Sequence, residues 1–125
     1  MNIDKIERSW FYLADLNPRR GTEPGKTRPV LVIQTDLLND VGHPSTVILP
    51  VTSNIQDDAA PLRVRIPGGS DGFTTESDIM IDQIRAIDNR RLFRLKSKRL
   101  IKKIAQASPD ILQKVVNSLR LLCEI

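Results

Sequence analysis

Arg19, Arg20, Lys26 and Arg28 stand within one short stretch, Asn17-Pro18-Arg19-Arg20-Gly21-Thr22-Glu23-Pro24-Gly25-Lys26-Thr27-Arg28, with Glu23 as its sole acid. A guanidinium presents paired N–H donors that match two phosphate oxygens, and glycine lets backbone approach a ligand closely. Such a stretch could cradle phosphates through side-chain forks and backbone N–H groups. A solvated basic loop has the same composition, and charge alone does not separate the two readings. A second basic stretch lies at 89–105, where eight Lys and Arg between Arg90 and Lys103 occur without an acid. They are eight of the chain's 19 basic residues; the other 11 are set against 15 acids, so the net charge of +4 is a local property. A patch of this kind suits a polyanion or an acidic protein, and equally a solvated helix face.

Other chemistries lack their residues. One histidine, His43, sits between Gly42 and Pro44, and one cysteine, Cys123, lies near the C-terminus. A zinc cluster of usual spacing needs more of both. There is no Gly-x-x-x-x-Gly-Lys phosphate loop and no Gly-x-Ser-x-Gly elbow. The carboxylates are spread out and imply no bound divalent ion. No metal and no cofactor are therefore expected. What remains is polar residues at strand ends and in one loop.

The elements that must position these residues follow from pattern. The 125 residues are read as one domain spanning 1–125. With a single cysteine no intrachain disulfide can form, which fits a reducing compartment. The N-terminal residues mix acids and bases and do not read as a secretory signal, and no apolar run approaches the ~20 residues of a membrane span. The expected setting is a cytoplasm, with no membrane association. Ser9–Leu16 reads as a strand ended by Pro18, and 17–27 as a loop. Pro29 opens a buried strand through Ile33, and Thr35-Asp36 can cap a short helical turn. Thr46–Leu49 reads as a strand ended by Pro50. Leu62, Val64 and Ile66 alternate with Arg63 and Arg65, which argues a half-exposed strand. Residues 79–87 alternate as one strand that would put Asp82 and Ile84 on one face, Gln83 and Arg85 on the other. Ser108, Pro109 and Asp110 open a helix whose Ile111, Leu112, Val115, Val116, Leu119 and Leu122 form one apolar stripe. The fold class expected is mainly β (α+β): a small barrel or curled sheet, with short helical turns and a C-terminal amphipathic helix packed on it.

Three segments carry a family resemblance. Asp15–Glu23 with Lys26-Thr27-Arg28-Pro29-Val30-Leu31-Val32 resembles the opening signature of the MazF/PemK toxins of type II toxin–antitoxin systems. Pro50-Val51-Thr52-Ser53 resembles the second family segment, and Asp82–Asp88 with Arg91-Leu92 the third. Order and spacing agree from about residue 8 to 92. Two departures stand out: Ser9-Trp10 replaces the usual Gly and acidic residue at the first strand, and 89–107 is longer and more basic than usual. Trp10 could join the core, pack at a dimer interface or stack on a base.

The resemblance implies an SH3-like barrel, a homodimer, and a metal-independent endoribonuclease acting on single-stranded RNA under control of a cognate antitoxin. In the family picture the RNA's 2′-hydroxyl attacks the adjacent phosphate and leaves 2′,3′-cyclic phosphate and 5′-hydroxyl ends. On residue chemistry alone Arg28 reads as a salt-bridged residue at a strand start and Thr52 as a turn hydroxyl. By resemblance they match the family's catalytic arginine and threonine. Thr22 and Glu23 match loop residues that touch RNA, and Gln83 a strand glutamine near the cut. Asp82 matches a position assigned as a base in some members. Arg19, Arg20, Lys26 and Ser53 complete the expected RNA contacts. Two rivals share the fold: a CcdB-like gyrase poison, whose Trp-Gly-Ile-like C-terminus has no counterpart in Cys123-Glu124-Ile125, and a catalytically inactive binder.

Overall fold

The computed structural model of the chain describes residues 5–92 and 103–125. Its strands are β1 (Trp10–Asp15), β2 (Thr27–Val32), β3 (Ser45–Thr52), β4 (Arg63–Ile66), β5 (Ser77–Met80), β6 (Arg85–Asp88) and β7 (Lys103–Gln106). Two helices, α1 (Asp36–Asn39) and α2 (Pro109–Cys123), complete the set with 3-10 turns at Ile81–Gln83 and Asn89–Arg91. The strands form a curled antiparallel sheet in the order β4-β5-β3-β2-β1-β7, with β6 also paired to β3. This is the expected mainly-β architecture with a closing helix. The basic residues Arg94 to Lys102 of the 89–105 stretch lie outside the described residues.

Strands β1, β2 and β3 are apolar on both faces because both faces are buried. Phe11, Leu31, Leu49 and Val51 point into one core, where Ile111 and Val115 of α2 dock. Tyr12, Val30, Val32 and Ile48 point into the other, closed by Ile6, Ile87 and Leu92. Period-two alternation thus sorts each strand between two cores. Helix α2 begins as its sequence dictates: the Ser108 side chain accepts from the Ile111 N–H and Pro109 occupies the first turn. Of its stripe, Ile111 and Val115 are buried, Leu112 and Leu119 pack at the margin, and Leu122 is 37% exposed. Trp10 packs on the second core, with Lys103 Nζ 4.5 Å from its ring centroid.

Three sequence expectations need correction. Pro29 does not open its strand, since β2 begins at Thr27. Pro50 does not end its strand, since β3 runs on to Thr52. A proline lacks the N–H that a ladder uses, so it is tolerated where that donor has no partner. On one edge β3 pairs with β6 over Ser45–Ile48 and with β5 over Val51–Thr52, so Pro50 falls between the two partners. Pro29 pairs with Leu13 of β1 and lies just beyond the last β2–β3 pair, Val30–Pro50. Thirdly, 79–87 is not one strand. Its halves pair with the same edge of β3 in registers offset by three residues, and the Ile81–Gln83 turn takes up the difference. Asp82 and Gln83 therefore sit on a 3-10 turn and not on alternating faces of a strand.

Tyr12, the chain's one tyrosine, is fully buried on β1; its hydroxyl donates to Lys5 O (3.3 Å) and accepts from Glu7 N–H (2.8 Å). Burial pushes its pKa up from 10.0 to about 12, against a smaller downward pull from the Glu7 N–H. The native state therefore holds the phenol proton more tightly than the unfolded chain. The stability this represents is full below pH 10.0 and is lost as pH rises toward about 12. Ultraviolet titration of phenolate should show no ionisation until near that upper value, coincident with loss of the fold's circular dichroism. A phenolate signal appearing near the ordinary value with the fold intact would contradict this burial.

Candidate nucleic-acid groove

The last β2–β3 pair decides the shape of the site. Beyond Val30–Pro50 no further pairing joins the two strands: Thr27–Pro29 pair only with β1, and Val51–Thr52 only with β5. The strands part there and a groove of about 700 Å³ opens between them. Arg28 lines one wall and Thr52 the other. Extending the Val30–Pro50 register by two residues sets Arg28 across from Thr52, so two segments far apart in sequence meet at one level. Arg19, Thr22, Lys26 and Ser53 also line the groove.

The basic loop is closed at its root. Asn17 Oδ1 accepts from Lys26 N–H (2.8 Å), and Leu16 N–H donates to Lys26 O (2.9 Å). Arg91 reaches across from the third sequence segment, its Nη1 donating to Asn17 O (2.6 Å) and Asp15 O (3.1 Å). Asn17 and Arg91 thus act on the loop's frame, a role that their place in the motif did not disclose. Gly25 is buried against Arg19; a Cβ there would lie 2.7 Å from Arg19 Cβ and 3.1 Å from its backbone. That contact requires glycine by space alone. Gly25 O in turn accepts from Arg28 Nε (2.7 Å), which aims the guanidinium.

Arg28 is half-buried and, among the described residues, has no acidic partner. Burial, and secondarily the charge of Arg19, holds its pKa below the ordinary arginine value. Both causes disfavour positive charge, so an anion bound here would relieve them. Thr52 is buried, and its Oγ1 accepts from Asn54 N–H (3.1 Å). Its hydroxyl proton is left available for donation.

Arg20, Glu23, Asp82 and Gln83 are not among the residues lining the groove. Arg20 and Glu23 are exposed on the loop, and Glu23 lies 3.7 Å from Arg85 of β6. Asp82 is exposed and Gln83 half-buried on their turn. In exchange the groove gains Asn54, Arg63, Phe73, Thr75 and Met80. Arg63 comes from a strand whose alternation marked it merely as solvent-facing. No spacing signal joins it to residues 17–28, because only β3 and β5 bring β4 to that place.

A family model described as "PemK-like, MazF-like toxin of type II toxin-antitoxin system" matches residues 7–123. The chain belongs to this family. Endoribonuclease EndoA of Bacillus subtilis is 41% identical over 87 residues, which cover 70% of this chain and 74% of that protein. The crystal structure of MazF from Deinococcus radiodurans (form I) superposes with a TM-score of 0.74 at 25% identity, covering 97% of this chain and 98% of that one. A MazE–MazF structure from the same organism (form III) gives 0.70 at 25% identity over 96% and 97% of the two chains. The curled sheet with its closing helix is the fold of these toxins.

Gly25→Ala should displace Arg19 and the carbonyl that holds Arg28. The expected outcome is a shifted Arg28 Nε–Hε resonance with faster solvent exchange, while resonances of the two cores stay in place. An unchanged Arg28 signal would mean that the Gly25–Arg19 contact does not set the guanidinium.

Proposed function

We propose that this chain is an endoribonuclease toxin that cuts single-stranded RNA in the groove between β2 and β3 without a metal ion. The observation that carries this is that Arg28 and Thr52 line the same groove where the strands splay, with further cations and no acid among its described lining residues. Family membership and the 41% identity to an endoribonuclease support it.

The 2′-oxygen of the RNA attacks the adjacent phosphorus. The bond to the 5′-oxygen breaks, leaving a 2′,3′-cyclic phosphate and a 5′-hydroxyl. The 2′ proton leaves to an acceptor, and the departing 5′-oxygen gains one. Negative charge grows on the phosphorane oxygens, and a fixed guanidinium at Arg28 stabilises it where water is partly excluded. Arg28 begins from so high a pKa that its service as a cation follows more directly than service as a base. Thr52 donates its hydroxyl proton to a phosphate oxygen. Arg19 and Lys26 hold flanking phosphates, with Thr22 and Ser53 as polar contacts. Arg20, Glu23, Asp82 and Gln83 stand outside the groove lining and are given no part in this chemistry.

The protein would act as a homodimer in the cytoplasm and be held inactive by a cognate antitoxin. An acidic, partly disordered segment that orders across a cationic groove would compete with RNA for the same charges. The antitoxin complex among the similar structures supports such a partner.

The test is cleavage of a long single-stranded RNA by purified protein in EDTA. The wild type should cut and leave 5′-hydroxyl ends, and Arg28→Ala should slow cutting roughly 100- to 1,000-fold. Cutting abolished by EDTA, or undiminished in the variant, would refute the mechanism. Absence of any cutting by antitoxin-free protein would turn attention to gyrase poisoning or to binding without catalysis.

A further inference from the structure

Two arginines project from β4, and their surroundings differ. Arg65 is consumed by acids: Nε donates to Asp78 Oδ1 (2.6 Å), Nη2 to Asp57 (2.9 Å) and Nη1 to Glu76 (3.3 Å). These partners hold its pKa above the ordinary arginine value, and each terminal of its fork is occupied. Arg63 uses Nη1 alone, shared between Asp78 Oδ2 (3.1 Å) and Asn54 O (3.2 Å). Among the described residues its Nε and Nη2 donate to nothing. Arg63 lines the groove and Arg65 does not.

The carboxylate between them is fully buried. Asp78 accepts from both arginines and from Gln56 N–H (2.8 Å). Burial pushes its pKa up, but Arg65, the Gln56 N–H and Arg63 together outweigh it and hold the carboxyl below its ordinary value. Asp78 is also the β5 residue paired with Thr52. One buried anion therefore fixes Arg63, the 53–56 segment and the strand beside Thr52 as a unit. Past Arg63 a shallow hollow is lined by Asp57, Asp58 and Asp78 against Arg63 and Arg65, so acids outnumber bases there and phosphate is disfavoured. Arg63 is thus the cation shared by the acid-free groove and this hollow.

We propose that Arg63, positioned by Asp78, contacts an RNA backbone phosphate flanking the one at Arg28 and marks the end of the cationic track. This rests on the reading of the groove as a single-stranded RNA site. A pre-positioned fork with unused donors gains two N–H···O bonds without first finding its rotamer. Bound strand beyond this point must turn away from Asp57 and Asp58. Asp78 acts through Arg63 and is a positioning residue.

The probe is an RNA oligonucleotide made uncleavable by 2′-O-methylation, with binding measured over a range of salt. Arg63→Gln should weaken binding about tenfold and reduce the slope of log affinity against log salt by about 0.7, the value for one phosphate on a single strand. Asp78→Asn should weaken binding while leaving the slope at the wild-type value, because the charge of Arg63 remains. A merely structural role would lower melting temperature and leave the slope of Arg63→Gln unchanged. On the wild type, which needs no variant to fold, arginine modification read by mass spectrometry should show Arg63 protected by the oligonucleotide. Full reactivity of Arg63 in the complex, or a wild-type slope for Arg63→Gln, overturns the inference with the groove reading intact. A wild type that does not bind the oligonucleotide or the matching RNA overturns both.

Discussion

Buried backbone must find hydrogen-bond partners, and in this chain the demand falls most heavily on β3. One edge of β3 is taken by β2, and the other is divided between β6 and β5. Each strand end left over from that arrangement does something. The gap between β6 and β5 admits Pro50, whose nitrogen has no proton to place. The end of the β2 ladder at Val30–Pro50 leaves Thr27–Pro29 and Val51–Thr52 facing each other unpaired. A site thus arises where a sheet stops satisfying itself, and the walls inherit residues fixed by strand geometry and not by a loose loop. The placement of Arg28 and Thr52 on the groove walls comes from the register of two central strands, which is the precision the proposed chemistry would ask of them.

What the sequence discloses follows the range of the forces involved. Helix α2 was legible from Ser108-Pro109 and its stripe because caps and helical period act over a few residues. Strands β1 and β4 were legible from local patterns, and the Thr35 cap of α1 from its hydroxyl. The two prolines misled in proportion to how strictly local rules were applied, since whether a missing N–H matters depends on a partner strand tens of residues away. Residues 79–87 failed for a related reason. Their alternation is genuine, but β3 receives the two halves in different registers, and a turn absorbs the offset at Asp82. Residue chemistry marked Arg19, Arg20, Lys26 and Arg28 as a possible phosphate cradle without separating that from a solvated loop, whereas Pro50–Ser53 and the particular roles of Arg28 and Thr52 came through family resemblance. Arg63 escaped both routes.

The charges sort into those already answered within the protein and those held ready for a ligand. Arg65, Arg85 and Arg90 each face an acid, and Lys103 lies near Glu7. The exposed pair Arg90–Asp88 adds little stability, whereas Arg65 is tied to the buried Asp78; in both, the acid fixes the arginine's geometry and cancels its field. The groove's own cations are different. Arg28 has a carbonyl partner at Gly25 that orients it without neutralising it. A carbonyl dipole can aim a guanidinium and leave its net charge intact for a phosphate, whereas a carboxylate would aim it and cancel it. A backbone acceptor at Gly25 thus leaves the charge of Arg28 uncancelled, as the proposed attraction of a polyanion would require.

At the far wall the same problem has another solution. Asp78 does carry a charge, and it is shared by two arginines, so the trio retains a net positive balance before Asp57 and Glu76 are added on the Arg65 side. With Asp57 and Glu76 the group carries one more acid than base, but both of those acids bind Arg65, and the Nε and Nη2 donors of Arg63 stay open beside the groove. Burial makes the arrangement rigid, because an unpaired Asp78 in the interior would be heavily penalised and so keeps both arginines in reach. The sheet fixes where Asp78 lies, Asp78 fixes Arg63, and the distribution of acids decides which of two neighbouring arginines remains available. Strand pairing in this way sets not only the shape of the groove but the direction in which its positive field points.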